Sequence, residues 1–167
     1  VVGDAVRIVA AEHPSVFLTT VHASGGPAMV AAAAEAAASR ASGTLAVVAV
    51  TALTSLSPTE TRILGVEANL EEWAAKLAEL ALDAGAHGIV CSARELEMMR
   101  KMFGPGPLIV TPGIRPDPQG KQPGDDQARV MSPRDALDAG SSYLVLGRPV
   151  YQAEDPLAVV RAMGETL

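Results

Sequence analysis

Gly88-Ile89-Val90-Cys91-Ser92-Ala93-Arg94-Glu95 holds the reading on which the fold turns. A short, unbroken apolar run stops at Ser92, and Glu95 follows three positions later, the spacing of a capping box that opens a helix. Continuous apolar runs of this length belong to strands buried on both faces, as in parallel sheets covered by helices. The helix that follows carries Leu96, Met99 and Phe103 at helical spacing, the row expected to be buried. Just upstream, Asn69 with Glu72 opens another helix. Its stripe of Leu70, Trp73, Leu77 and Leu80 is expected to face the sheet, and Gly85 closes it.

The same alternation extends outward in both directions. Apolar runs at residues 16–21, 45–50, 108–110 and 143–146 join 88–91 as strands. An Ala-rich helix is expected from about Pro27 to Ser39, and Ser132-Pro133 and Asp155-Pro156 are cap and first-turn proline pairs for the last two helices. Strand and helix signals recur at about 30 residues, the length of a βα unit, which predicts a parallel sheet covered by helices. Two connections are longer. Residues 55–68 form a moderate loop, and 116–131 is rich in Pro, Gly, Gln and Asp, the composition of a mobile lid rather than of regular structure.

Composition narrows the class. With 167 residues, 49% hydrophobic and 19% charged, the chain is expected to form one packed domain over 1–167 rather than a disordered segment. An aromatic share of 3% leaves little to stack on bases, and a net charge of −6 repels polyanions and anionic membranes, so nucleic acid and membrane are not expected partners. No apolar run reaches the roughly 18 residues that span a bilayer, and no signal-peptide pattern opens the chain. One cysteine excludes an internal disulfide framework and fits a reducing, cytoplasmic setting. The three histidines are scattered without ligand spacing, so no metal site is expected. The methionines and the single Trp read as core, and Cys91 as a small buried filler.

A complete (β/α)8 barrel needs roughly 250 residues, so these strands predict a partial barrel of about five βα units, with about three more units in front. The opening Val1-Val2-Gly3-Asp4, without an initiator Met, carries the same expectation. An open doubly wound sheet is the alternative, but no G-x-G-x-x-G turn follows the first strand to support it.

In parallel barrels the functional face lies at the C-terminal strand ends, and phosphates are bound by the loops after the last two strands. Here those loops read Thr111-Pro112-Gly113-Ile114-Arg115-Pro116 and Leu146-Gly147-Arg148-Pro149. Arg115 and Arg148 supply guanidinium forks suited to a dianion, and Gly147 lets the backbone approach a ligand closely. A lone Arg is ordinarily a solvated surface residue; two on consecutive phosphate-site loops read as a clamp. In the long loop, the Gln127 amide is placed to donate to the same phosphate when a lid closes. Thr54, ending Val50-Thr51-Ala52-Leu53-Thr54, is placed to read the polar edge of a base. His22 ends a strand on this face, where a structural hydrogen bond and a ligand role are both open.

Taken in order, V-T-A-L-T-S, G-I-V-C-S-A-R-E, V-T-P-G-I-R-P, D-D-Q-A-R and Y-L-V-L-G-R-P-V, with H-A-S-G-G near the start, resemble the orotidine 5'-monophosphate decarboxylases, especially their bacterial members. The resemblance covers essentially the whole chain. It implies a TIM barrel in which Arg115, Gln127, Gly147 and Arg148 hold the 5'-phosphate and Thr54 contacts the pyrimidine. It also implies a cofactor-free homodimer that converts orotidine 5'-monophosphate to UMP in pyrimidine synthesis. Members of that family also carry an Asp near the first strand, a Lys on the second and a D-x-K-x-x-D motif after the third. No such motif stands here, and the lysines, Lys76, Lys101 and Lys121, fall on two helices and in the long loop. The catalytic residues are therefore expected outside this segment, and two other readings stay open. One is a noncatalytic nucleotide-phosphate-binding paralogue, the other a related phosphosugar decarboxylase or synthase barrel.

Overall fold

The computed structural model of the chain describes residues 1–41, 43–67, 69–116 and 131–166. Five parallel strands form one sheet in chain order: β1 (Leu18–His22), β2 (Ala46–Val50), β3 (Gly88–Val90), β4 (Leu108–Thr111) and β5 (Tyr143–Leu144). Parallel neighbours need crossover connections, and helices supply them. α1 (Val2–Glu12) precedes β1, and α2 (Pro27–Ala38) links β1 to β2. α3 (Pro58–Ile63) and α4 (Leu70–Asp83) lie between β2 and β3, α5 (Leu96–Phe103) between β3 and β4, and α6 (Pro133–Asp138) before β5. α7 (Arg148–Tyr151) and α8 (Pro156–Thr166) follow.

Strand alternation and register assign the two faces of the sheet. Val21, Ala49, Ile89 and Ile109 are register partners in one row and belong to the buried clusters shared with the helices. The neighbouring row, His22, Val50, Val90, Val110 and Tyr143, must therefore point to the opposite, concave face. On the helix side, Leu45, Ile89, Leu96, Met99 and Ile109 are fully buried, each stabilising the fold by about 1.5–3 kcal/mol. Small residues set the spacing. A methyl at Gly3 would stand 3.0 Å from the Ala32 carbonyl oxygen, so glycine there lets α1 close on α2. At Gly88, a methyl would collide with the Leu108 backbone of the adjacent strand.

Across the sheet, the rings of Phe17 and Tyr143 meet with centroids 5.9 Å apart, although their strands lie at opposite margins. The sheet is thus curled until its first and fifth strands face each other, the relation of diametrically opposed strands in an eight-stranded barrel. By register Tyr143 shares a row with His22, yet its ring meets Phe17, five positions earlier in the chain. The chain is a partial barrel wall whose concave side stays open: Tyr143 is 42% and Val145 46% exposed.

Two arginines tie the connections at the N-terminal end of the sheet. Arg40 donates through Nη1 to the Val16 carbonyl at 2.6 Å and through Nη2 to the His13 carbonyl at 2.9 Å. Arg100 donates through Nε to the Gly140 carbonyl at 2.8 Å and through Nη1 to the carbonyls of Gly104 and Pro107 at 3.0 and 2.8 Å. Buried Thr111 and Ser141 join hydroxyl to hydroxyl at 2.7 Å, pinning the end of β4 to the start of β5.

Several boundaries differ from the sequence expectation, each for a local reason. The strand expected at 16–21 runs Leu18–His22, because the Val16 carbonyl is taken by Arg40 while ladder pairing starts with Ala46 N–H donating to Phe17 at 2.8 Å. The strand expected at 143–146 stops at Leu144. Val145 still donates to the Thr111 carbonyl at 2.9 Å, after which the chain turns away. In α4 the buried stripe is Leu70, Ala74, Leu77, Ala78 and Ala81, with Leu80 and Trp73 only partly covered. In α5, Leu96 and Met99 are fully buried and Phe103 is half-buried. Of the expected lid at 116–131, all but its two end residues lies outside the described residues.

Candidate active site

Because the strands are parallel, their C-terminal ends lie together, and the loops leaving β4 and β5 are neighbours there. Pro112, Gly113 and Arg115 from the first loop, with Val145, Gly147, Arg148 and Tyr151 from the second, line one cavity of about 200 Å³. That is several times the volume of about 30 Å³ occupied by a water in the liquid. Two half-buried guanidinium groups thus share one pocket, the chemistry that holds a phosphate dianion.

Local sequence explains this convergence. Gly113 is buried with φ +78°, a left-handed conformation that glycine adopts without steric cost and that turns the chain after Pro112. Arg115 is then held by its backbone N–H, which donates to Met131 at 3.0 Å, and by its Nη1, which donates to the Ile114 carbonyl at 3.0 Å. Gly147 precedes α7, and its carbonyl accepts from the N–H groups of Val150 at 2.9 Å and Tyr151 at 3.2 Å.

The other expected site residues sit differently. Thr54 is half-buried in the turn after β2, at the same end of the sheet, but does not line this cavity. Nearer the strand, buried Thr51 donates through Oγ1 to the Val90 carbonyl at 2.8 Å and so fixes the β2 and β3 ends side by side. Gln127 lies outside the described residues, as does Lys121. His22 is exposed at the end of β1, in the row facing the concave side. Lys76 and Lys101 are exposed on α4 and α5. Tyr151 was not among the expected contacts; its spacing of three from Arg148, just after the second loop, was the available signal.

Burial pushes the Cys91 thiol well above its ordinary range, with the Glu95 carboxylate adding to the rise and Arg100 opposing it. A thiolate nucleophile is excluded at neutral pH. Glu95 is itself buried and accepts from the Ser92 N–H at 2.9 Å, the cap foreseen from the sequence. Among the described residues no group of three or more His, Cys, Asp or Glu side chains is placed to hold a metal ion. Nor, among them, is any helix long and apolar enough to cross a membrane.

Residues 1–163 match the family model described as Orotidine 5'-phosphate decarboxylase / HUMPS family. The chain belongs to this family. It is 44% identical over 160 residues to the orotidine 5'-phosphate decarboxylase of Pseudoalteromonas translucida, covering 96% of this chain and 67% of that relative. To the Neisseria meningitidis serogroup B enzyme of the same name it is 47% identical over 146 residues, covering 87% and 58%. The crystal structure of orotidine 5'-phosphate decarboxylase from Lactobacillus acidophilus superposes with a TM-score of 0.82 at 31% identity, covering 98% of this chain and 68% of that one. This family member therefore spans roughly three-fifths to two-thirds of the length of the relatives it matches.

Proposed function

We propose that this chain forms the phosphate- and base-binding part of an orotidine 5'-monophosphate decarboxylase, acting in pyrimidine synthesis as a cytoplasmic homodimer. The observation that carries the reading is the shared pocket of Arg115 and Arg148 at the C-terminal strand ends. In the reaction, the bond between the pyrimidine carbon and its carboxylate breaks, carbon dioxide leaves, and the electron pair stays on the ring carbon until a proton reaches it, giving UMP. That proton and the charge stabilisation call for a fixed ammonium with carboxylates holding it in place. Lys76 and Lys101 are on exposed helix surfaces, and we assign these groups to the part of the relatives' length outside the match. The remaining third has the size of about three βα units, what an eight-stranded barrel still needs.

The work of the present residues is to bind and orient. Arg115 and Arg148 grip the 5'-phosphate, the backbone at Gly147 approaches it without a side chain between, and Gln127 completes the grip. Thr54, in the turn after β2, contacts the pyrimidine. Binding energy from a phosphate remote from the reacting carbon then helps to organise the closed site.

The test is titration of the full-length protein with UMP and with uridine. Each guanidinium-phosphate contact is worth about 1.5–3 kcal/mol. Arg115→Ala and Arg148→Ala are therefore expected to weaken UMP binding roughly tenfold to a hundredfold and to leave uridine unchanged. Equal losses for both ligands, or none, would remove the clamp. Turnover of orotidine 5'-monophosphate by the full-length protein separates an enzyme from a noncatalytic phosphate-binding paralogue, and preference for a pentulose or hexulose phosphate over UMP would favour the phosphosugar reading.

A further inference from the structure

We propose that Tyr151 is a further phosphate-binding residue of this pocket, its phenol donating to a phosphoryl oxygen alongside the two guanidinium groups. This rests on the reading above that the pocket takes a phosphate monoester.

The sequence Gly147-Arg148-Pro149-Val150-Tyr151 closes a single helical turn, with the Val150 and Tyr151 N–H groups both donating to the Gly147 carbonyl. Residues three apart on a helical turn project to the same side, so Tyr151 emerges beside Arg148. Both side chains line the cavity. The Tyr151 ring also leans over Gly147: its Cε1 lies 3.5 Å from where a Cβ on that glycine would stand, an ordinary contact distance. Gly147 therefore presents a bare backbone on one side of the pocket while the aromatic ring rises as a wall beside it.

Packing does not explain the position. Tyr151 is 66% exposed and belongs to neither buried cluster, so the ring contributes little to the core. What the position does offer is an uncharged O–H donor at the rim of a cavity whose other polar side chains are two cations. A phosphate monoester dianion presents three terminal oxygens; two planar forks and one phenol form a donor set suited to all three. The ring adds an apolar screen on one side, which strengthens the charged contacts by reducing water access.

Tyr151→Phe keeps the ring and removes only the hydroxyl, so folding is spared. In the full-length protein it is expected to weaken UMP binding about tenfold or more while uridine binding stays the same. Inorganic phosphate is expected to compete less well against UMP in the wild type than a phosphate monoester does, and to lose affinity in Tyr151→Phe as UMP does. Wild-type affinity of Tyr151→Phe for UMP overturns the proposal, and so does an equal loss for UMP and uridine. Arg148→Ala, measured alongside, separates the two levels. If it loses UMP binding while Tyr151→Phe does not, only the role of Tyr151 falls. If Arg148→Ala also keeps full affinity, the phosphate pocket itself is wrong.

Discussion

Arg100→Met removes a guanidinium that never touches the candidate site and tests whether the site depends on the frame beneath it. Three of its hydrogen bonds, to the carbonyls of Gly140, Gly104 and Pro107, are partly buried, at 2.8, 3.0 and 2.8 Å. A fourth, from Nη2 to Ser142 Oγ at 3.2 Å, is exposed and contributes little. A net hydrogen bond is worth about 1 kcal/mol, and the methionine keeps most of the aliphatic packing, so the expected loss is about 3 kcal/mol. With a urea dependence of about 1–3 kcal/mol per molar, the unfolding midpoint of the full-length protein should fall by about 1 M or more. Because Gly140 and Ser142 lead directly into β5, whose following loop carries Arg148, UMP affinity should fall as well. Lys101→Met, at the exposed neighbouring position, is the control and should leave both quantities alone. A midpoint for Arg100→Met within about 0.2 M of wild type, at an unchanged slope, would refute the idea that this side chain locks the two connections together.

Two further perturbations test other parts of the description. Gly113→Ala forces a Cβ into a left-handed backbone at φ +78°, a strain of about 1–2 kcal/mol, and should weaken UMP binding, whereas Gly106→Ala, facing open space, should do neither. Comparison of the two by calorimetric titration decides this, and equal behaviour would count against the turn. Cys91, with its thiol raised by burial, should resist iodoacetamide at pH 8 in the native protein and react on unfolding, as read by mass spectrometry; native labelling at the unfolded rate would contradict its burial. The sign for stability follows from the upward shift. The neutral thiol's contribution is complete below the ordinary thiol pKa and fades as pH rises above it, because the unfolded chain then ionises first.

The strands were legible because a parallel sheet covered by helices forces short apolar runs such as Gly88–Val90 and Leu108–Thr111, and the caps because Asn69 and Ser132 accept from the N–H groups of Glu72 and Asp135 while Glu95 reaches back to the Ser92 N–H. The shared pocket of the two loops was legible because parallel strands bring the segments that follow them to one end of the sheet, so Arg115 and Arg148, each placed soon after a neighbouring strand, come together there. Hydrophobicity misled at Leu80: the buried face of α4 carries Ala74, Ala75, Ala78 and Ala81 beside Leu70 and Leu77, small residues that an apolar stripe of large side chains does not reveal. Tyr151 was missed because its place in the pocket comes from the bare Cα of Gly147 and one turn of helix, a relation in space that the composition of the loop does not contain. The start of β1 was misplaced because Arg40, distant in sequence, claims the Val16 carbonyl.

The meeting of Phe17 with Tyr143 joins positions separated by about three-quarters of the polypeptide. Bringing such distant points together costs on the order of 4 kcal/mol in loop entropy from the length term alone, while an aromatic pair returns only about 0.5–1.5 kcal/mol. The two rings are therefore passengers of the bend, not its cause. The bend must already be imposed by strand twist and by the helices pressed against the convex side, and the aromatic contact only registers, at the two margins of the sheet, that this has happened.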